Sequence, residues 1–507
     1  MNHWVLLPVL LPALIAPLIV IATRFDIVLT RVFSVLSLVL LVIISAILVG
    51  QAFDGSITSY ELGNWAAPFG IVLVLDRLSA ILVLLTSVVG LFVLLYALNG
   101  WDRRGQHFHA LYQFQLMGIN GAFLTGDLFN LFVFFEVLLI ASYGLMVHGG
   151  GALRVKAGVQ YVVANIVGAG LFLFAVGLIY GVTGTLNMAD IAMAVKEIPA
   201  SDQALLQTGG LLLLIVFAMK AALVPVQFWL PGTYTNAPAP VAALFAVMTK
   251  VGAYAIIRVF TLIFGGEAGE SSWLAAPWLL PSAMVTLAIG AIGVLAARSL
   301  GQMVSFAVVA SMGTLLIAVG VFSPSAMAAA LYYMLHSTLA AAALFLIADL
   351  VTERRARHAD ILSVAPRFMQ AGLVSALFFI AAIAMVGMPP LSGFVGKLLI
   401  LDGLRAEPGA MWIWALILVS SLLLIVGFSR AGSILFWKSA AQEGRVLARL
   451  RPRAVPFVAT GGLLASIVLL TVFAGPVMVF LEATALQIFN PGDYQSAVLL
   501  GESGGTH

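Results

Sequence analysis

Five ionisable side chains stand in stretches of sequence where almost nothing else is charged. Glu136 lies within FNLFVFFEVLLIASYGLM, Lys220 within LLLLIVFAMKAALVPVQFWLP, His336 within ALYYMLHSTLAAAALFLI and Lys397 within IAAIAMVGMPPLSGFVGKLLI, while Lys250 has apolar chain running away from it on both sides. A charge at the centre of a bilayer costs several kcal/mol even on the lenient insertion scale, so such residues need partners or water and typically mark proton or ion paths. A carboxylate, an imidazole and three amines are proton-relay groups. The plain alternatives are a static Glu136–Lys220 ion pair, a Lys250 satisfied by carbonyls or serines, and a neutral His336 bonded to a neighbouring helix.

Two of the lysines accompany prolines. Lys220 precedes Pro225 by five residues, and Pro389 and Pro390 precede Lys397. Proline removes an amide donor and clashes with the preceding turn, and carbonyls freed inside a bilayer must find protein or water. Both segments are therefore expected to be broken helices facing a polar interior rather than packed helices with a kink.

The elements that carry these residues follow from composition. The chain has 507 residues, 62% of them hydrophobic and 9% charged, against about 25% charged in an ordinary soluble protein; its mean hydropathy is +1.12. A water-soluble globule is excluded. A barrel is excluded as well, because barrel strands alternate apolar and polar residues, whereas FGIVLVLDRLSAILVLLTSVVGLFVLLYAL is apolar on every face. The expected fold is an all-α polytopic membrane protein of about 14 transmembrane helices. The segments lie at about 3–23, 27–50, 70–98, 108–125, 127–148, 157–182, 207–231, 238–262, 273–297, 302–322, 325–350, 370–402, 410–437 and 455–481.

If segments four to eight and nine to thirteen form two units, the broken helix is the fourth member of each, and the odd count of five inverts the second unit. Paired interrupted helices in inverted repeats point to an ion path near the midplane. The expected organisation is residues 1–107 with helices 1–3, 108–262 as the first repeat, 273–437 as the inverted second repeat, and 438–507 with a basic loop, helix 14 and a short tail. The opening stretch lacks a charged leader and a cleavage site, so it reads as a retained span.

Seventeen of the 24 Lys and Arg fall in loops on one side, among them Arg103, Arg104, Arg154, Arg298, Arg354, Arg445, Arg449 and Arg451, while the other side's loops hold Lys196 and Arg405. Basic residues stay in the cytoplasm, which places both termini outside. Arg77 and Arg258, near the outer ends of their spans, are expected to snorkel to the headgroups.

Several function classes drop out. There are no cysteines, hence no disulfide or thiolate chemistry. No G-x-G-x-x-G, Walker-type or H-E-x-x-H motif occurs, and no connection approaches the roughly 50 residues of a soluble domain. The chain reads as a transporter rather than an enzyme. No cofactor is expected, no metal site is assigned, and the aromatic and methionine runs read as packing.

GDLFNLFVFFEVLLIASYGLM, FAMKAALVPVQFWLPGTYTNAPAPVAALFAVMTKVGAYAIIRVF and GMPPLSGFVGKLLILDG resemble the antiporter-like subunits shared by respiratory complex I, membrane-bound hydrogenases and Mrp-type multisubunit Na⁺/H⁺ antiporters. The likeness runs from PFGIVLVLDRLSA to about residue 430. It is strongest to the D-type subunit of the Mrp antiporter, also called PhaD in K⁺/H⁺ versions. Three features favour that type: WLPGTYTNAPAPV lacks a histidine found in many complex I homologues, TKVGAYAIIR is typical of it, and no lateral helix or further spans follow segment fourteen.

This resemblance implies a fourteen-helix fold with a central hydrophilic axis, a bacterial plasma-membrane location, and partners in a hetero-oligomeric complex moving H⁺ against Na⁺ or K⁺. It assigns proton-relay roles to Glu136, Lys220, Lys250 and Lys397, with His336 at a less uniform position. Two readings stay open: an ion-translocating antiporter subunit, and a proton-pumping membrane subunit of a redox complex.

Overall fold

The computed structural model describes residues 3–23, 25–440 and 453–500; Arg24 and the loop residues Arg445, Arg449 and Arg451 lie outside them. Among the described residues, eleven helices are long and apolar enough to cross a membrane, and Leu7–Ala22, Ala371–Val386 and Ala474–Ile488 are shorter apolar helices. The protein is an all-helical polytopic membrane protein.

The chain opens with α1 (Leu7–Ala22) and α2 (Ile27–Ala52), then a hairpin of β1 (Thr58–Glu61) and β2 (Val72–Leu75) paired antiparallel with Thr58 opposite Leu75, then α3 (Arg77–Ala97). The expected span from residue 70 thus begins as a strand. Val72–Leu75 is as apolar as the helix after it, and hydropathy alone does not separate a short buried strand from a helical turn. The helix starts where Asp76 caps it, its carboxylate accepting from Ser79 N while Ser79 Oγ accepts from Asp76 N.

α4 (Phe108–Leu124) and α5 (Leu128–Met146) divide at Thr125–Asp127, where Asp127 caps α5 by accepting from Asn130 N at 2.7 Å. α6 (Ala152–Thr183) is followed by a short α7 (Met188–Ala194), and the seventh segment is broken into α8 (Gln203–Lys220) and α9 (Trp229–Asn236). Next come α10 (Ala239–Leu262), α11 (Ala276–Ala296), α12 (Leu300–Val319) and α13 (Pro324–Arg354). The twelfth segment is broken into α14 (Ala371–Val386) and α15 (Ser392–Gly403). α16 (Ala410–Gly432) runs through a π turn at Ser433–Trp437, and α17 (Val455–Val472), α18 (Ala474–Ile488) and α19 (Pro491–Leu499) complete the described chain. The fourteenth segment is thus interrupted at Phe473 and followed by an extra helix.

α10 and α13 are predominantly apolar and buried over their whole spanning windows, the state expected of helices at the centre of a bundle. α2, α6 and α16 lie at the periphery, with large apolar side chains such as Ile43, Val163, Phe174 and Leu418 exposed as lipid-facing residues would be. Glycines set the closest approaches. A Cβ on Gly118 would meet Leu138 N of α5 at 2.6 Å, and one on Gly290 would meet Ala310 N of α12 at 2.4 Å.

On the basic face, Arg31 of α2 donates to both carboxylate oxygens of Asp102 (2.6 and 2.9 Å), with His109 Nε2 3.3 Å away. Burial pushes the Asp102 carboxyl up, but the hydrogen bonds from His109 and Arg31 and the charge on Arg31 outweigh it and hold it down at about 2.

Candidate functional site: the broken helices and the central pair

α8 stops at Lys220 because the amide that would serve the Ala221 carbonyl belongs to Pro225, which has none. The break is held by neighbours. Val224 N donates to Thr286 Oγ1 of α11 at 2.9 Å, Leu223 N to Ala218 O at 2.8 Å, and Trp229 Nε1 to Met219 O at 2.9 Å. Lys220 is 6% exposed. Its amine donates to Asn165 Oδ1 of α6 at 2.6 Å and lies 5.9 Å from the Phe135 ring centroid. Asn165 is itself fixed by Nδ2 donating to Tyr161 O at 2.7 Å. Glu136, next to Phe135 on α5, is half-buried. Among the described residues no ion pair within 4.0 Å joins it to Lys220.

α10 crosses the broken end at a glycine. A Cβ on Gly252 would come within 2.5 Å of Ala221 N and 2.9 Å of Lys220 C, so only hydrogen lets the two backbones meet there. Two residues away, Lys250 is fully buried and its amine lies 3.4 Å from Met312 Sδ of α12. A thioether is a weak acceptor, and no carboxylate pairs with this lysine among the described residues.

His336 sits mid-way along α13, fully buried, with Nδ1 2.8 Å from Ser392 Oγ at the start of α15. Its Nε2 faces Gly393 close to the Ala384 carbonyl, and a Cβ on Gly393 would come within 2.7 Å of it. At the second break, the amides three and four residues beyond the Val386 carbonyl, which would serve it in a continuing helix, belong to Pro389 and Pro390, and neither carries a proton. The Lys397 amine supplies the missing donor, bonding Val386 O and Ser421 Oγ of α16 at 2.7 Å each.

The five residues singled out by sequence thus fall on elements that pack in series: α5 on α6, α6 on α8, α8 on α10, α10 on α13 and α13 on α15. Sequence reasoning missed the neutral partners Asn165, Ser392 and Ser421. Asn165 alone left a local signal, as the single amide in YVVANIVGAG.

Arg258 corrects an expectation. It does not snorkel; it is 5% exposed and pairs with Asp76 Oδ2 at 2.6 Å. A lone Arg in lipid reaches for headgroups, but here a carboxylate at the start of α3 is within reach, and a buried ion pair with further hydrogen bonds satisfies both. Arg77 also turns to protein, donating to Phe53 O and Ala483 O at 2.9 and 3.4 Å.

A bundle of apolar helices with two interrupted members and a buried series of amines and imidazole defines a class: polytopic membrane subunits of the antiporter-like type. The family described as NADH:quinone oxidoreductase/Mrp antiporter, TM matches residues 125–425. The chain is 40% identical to the D-type subunit of a probable K(+)/H(+) antiporter of Rhizobium meliloti (strain 1021), over 100% of this chain and 99% of that one. It is also 40% identical to the D-type subunit of the Na(+)/H(+) antiporter of Bacillus subtilis (strain 168), over 98% and 100%. Its fold matches a chain of the Mrp complex from Dietzia sp. DQ12-45-1b with a TM-score of 0.86 at 27% identity, covering 98% of this chain and 100% of that one. The protein belongs to the family of D-type Mrp antiporter subunits, within the complex I antiporter-like membrane subunits, and is a transporter component rather than an enzyme.

Proposed function

We propose that the chain is the proton-translocating subunit of a multisubunit Na⁺/H⁺ or K⁺/H⁺ antiporter, with a path through Glu136, Lys220, Lys250, His336 and Lys397 that takes protons inward while monovalent cation is exported. The observation that carries this reading is the buried Lys250 at the centre of the bundle, which has no carboxylate partner among the described residues and is flanked by two helix breaks that each hold a buried amine. In this reading both termini face outward, the basic loops face the cytoplasm of a bacterial plasma membrane, and the chain works only with its partner subunits.

Three structural parallels support the inverted repeats 108–262 and 273–437. Each opens with a helix carrying two glycines three residues apart, Gly118 and Gly121 on α4 and Gly290 and Gly293 on α11, packed on the next helix. In each, the start of the second helix is stitched to the chain after the third: Leu128 N donates to Leu186 O and Met188 N to Gly126 O, as Leu300 N does to Asp360 O and Leu362 N to Arg298 O. Each breaks its fourth helix beside a lysine.

Lys250→Ala in the assembled complex, reconstituted in vesicles with an imposed pH gradient, is expected to abolish cation-dependent proton flux while the complex still assembles. Normal exchange by the assembled variant overturns the path. The second reading, a proton-pumping subunit of a redox complex, draws on the NADH:quinone oxidoreductase half of the family description. Partner subunits that co-purify with flavin or iron–sulfur absorbance would establish it in place of the antiporter.

A further inference from the structure

The proposed path runs through the middle of α10, and the two ends of that helix are built differently. At the basic end, Ala239 and Ala242 line a cavity of about 630 Å³ that also reaches Arg154, Asp349 and Glu353. At the other end, eight residues or about 12 Å beyond Lys250, stands Arg258. Its Nη2 meets Asp76 Oδ2 at 2.6 Å and its Nε donates to Tyr254 Oη at 3.2 Å. Tyr254 Oη in turn donates to Phe123 O of α4 at 2.8 Å. The Tyr494 ring of α19 covers the guanidinium at 5.1 Å, and the Tyr494 hydroxyl is buried with no protein partner among the described residues. Four elements, α3, α4, α10 and α19, converge on one cation.

The chemistry of that cation separates it from the lysines. A guanidinium keeps its proton under all physiological conditions, so it cannot pass one on. A fixed positive charge in a narrow protein-lined route also repels Na⁺, K⁺ and hydronium, the device by which pores exclude cations. Asp76 and Tyr254 hold it in place with its charge-assisted bonds made.

Resting on the path proposed above, we propose that Arg258, locked by Asp76 and covered by Tyr494, is the barrier that closes the outer end of the first repeat, so that Lys250 exchanges with the outside only by way of the second repeat. Arg258 is a selectivity and positioning residue: it keeps an exchange path from becoming a leak.

The test measures passive proton leak in vesicles holding the whole complex, with a pH gradient and no Na⁺ or K⁺. Arg258→Gln is expected to raise the leak at least threefold over the unaltered complex, and adding Lys250→Ala to it should return the leak to the starting level. A role in folding alone would lower yield and exchange without opening a leak. Vesicles of Arg258→Gln as tight as the unaltered complex overturn the barrier, as does a leak that persists undiminished in the double variant. Should Arg258→Gln not assemble, Tyr494→Ala decides: it removes only the cover, from a peripheral helix, and tight vesicles again overturn the proposal. The path itself is judged separately, by whether single Lys250→Ala stops cation-dependent exchange.

Discussion

Glu136 on α5 and Lys220 on α8, two helices that both pack on α6, form no ion pair among the described residues, and the amine rests on the neutral oxygen of Asn165. In the proposed path this arrangement is the open state of a pair that closes when Glu136 swings to the amine, two states that must lie within a few kcal/mol of one another. Glu136→Gln keeps the volume and removes the charge, so the complex should assemble normally and lose most of its exchange; Glu136→Asp, with the charge on a shorter arm, should retain part of it. Vesicle exchange assays from pH 6 to 9 check both, and a Glu136→Gln complex running at the unaltered rate throughout makes the pair structural. The charged residues at depth were legible because an isolated charge breaks an apolar run. Their partners were not: Asn165, Ser392 and Ser421 reach their lysine or histidine across 24 to 56 positions of chain, a separation at which local pattern carries no signal. Arg258 was misplaced for the same reason, since its carboxylate lies on another helix.

The broken helices were readable from the chain because proline and lysine stand within a few residues of each other. The hairpin and the short helices α7 and α19 were not, being apolar or mixed segments too short for periodicity to resolve. Glycine contacts likewise appear only in three dimensions. At Gly252 the added carbon of an alanine would press on backbone, not on a side chain that can turn away. Gly252→Ala should therefore cost about 1–3 kcal/mol and lower both the melting temperature of the purified complex and its exchange, whereas Gly177→Ala on α6, where nothing lies within 4 Å, should leave both unchanged. The connection before α4 offers a pH-dependent case. Asp102 has a folded value below that of a free carboxyl, so its stabilisation is complete above about pH 4 and disappears as pH falls toward 2. Asp102→Asn should cost about 2 kcal/mol near neutrality, with a melting-temperature difference that is constant from pH 8 to 5 and narrows below 4.

For the molecule as a whole, the segregation of basic residues predicts the orientation, and the absence of cysteine makes it easy to measure. A membrane-impermeant maleimide applied to intact cells should label Ser201→Cys, exposed beside Lys196, and leave Gln106→Cys untouched until the membrane is opened; the reverse pattern would invert the topology. The second break also bears on the whole molecule. The Lys397 amine stands in for an amide that proline cannot provide, and a bond from a charged donor is roughly twice as strong as one from a neutral donor. Each proton leaving Lys397 would therefore slacken the join between α14 and α15, and each arrival would tighten it. In the proposed path, protonation and backbone stiffness become one variable at that point, so that the tightness of the join between α14 and α15 records where the transport cycle stands.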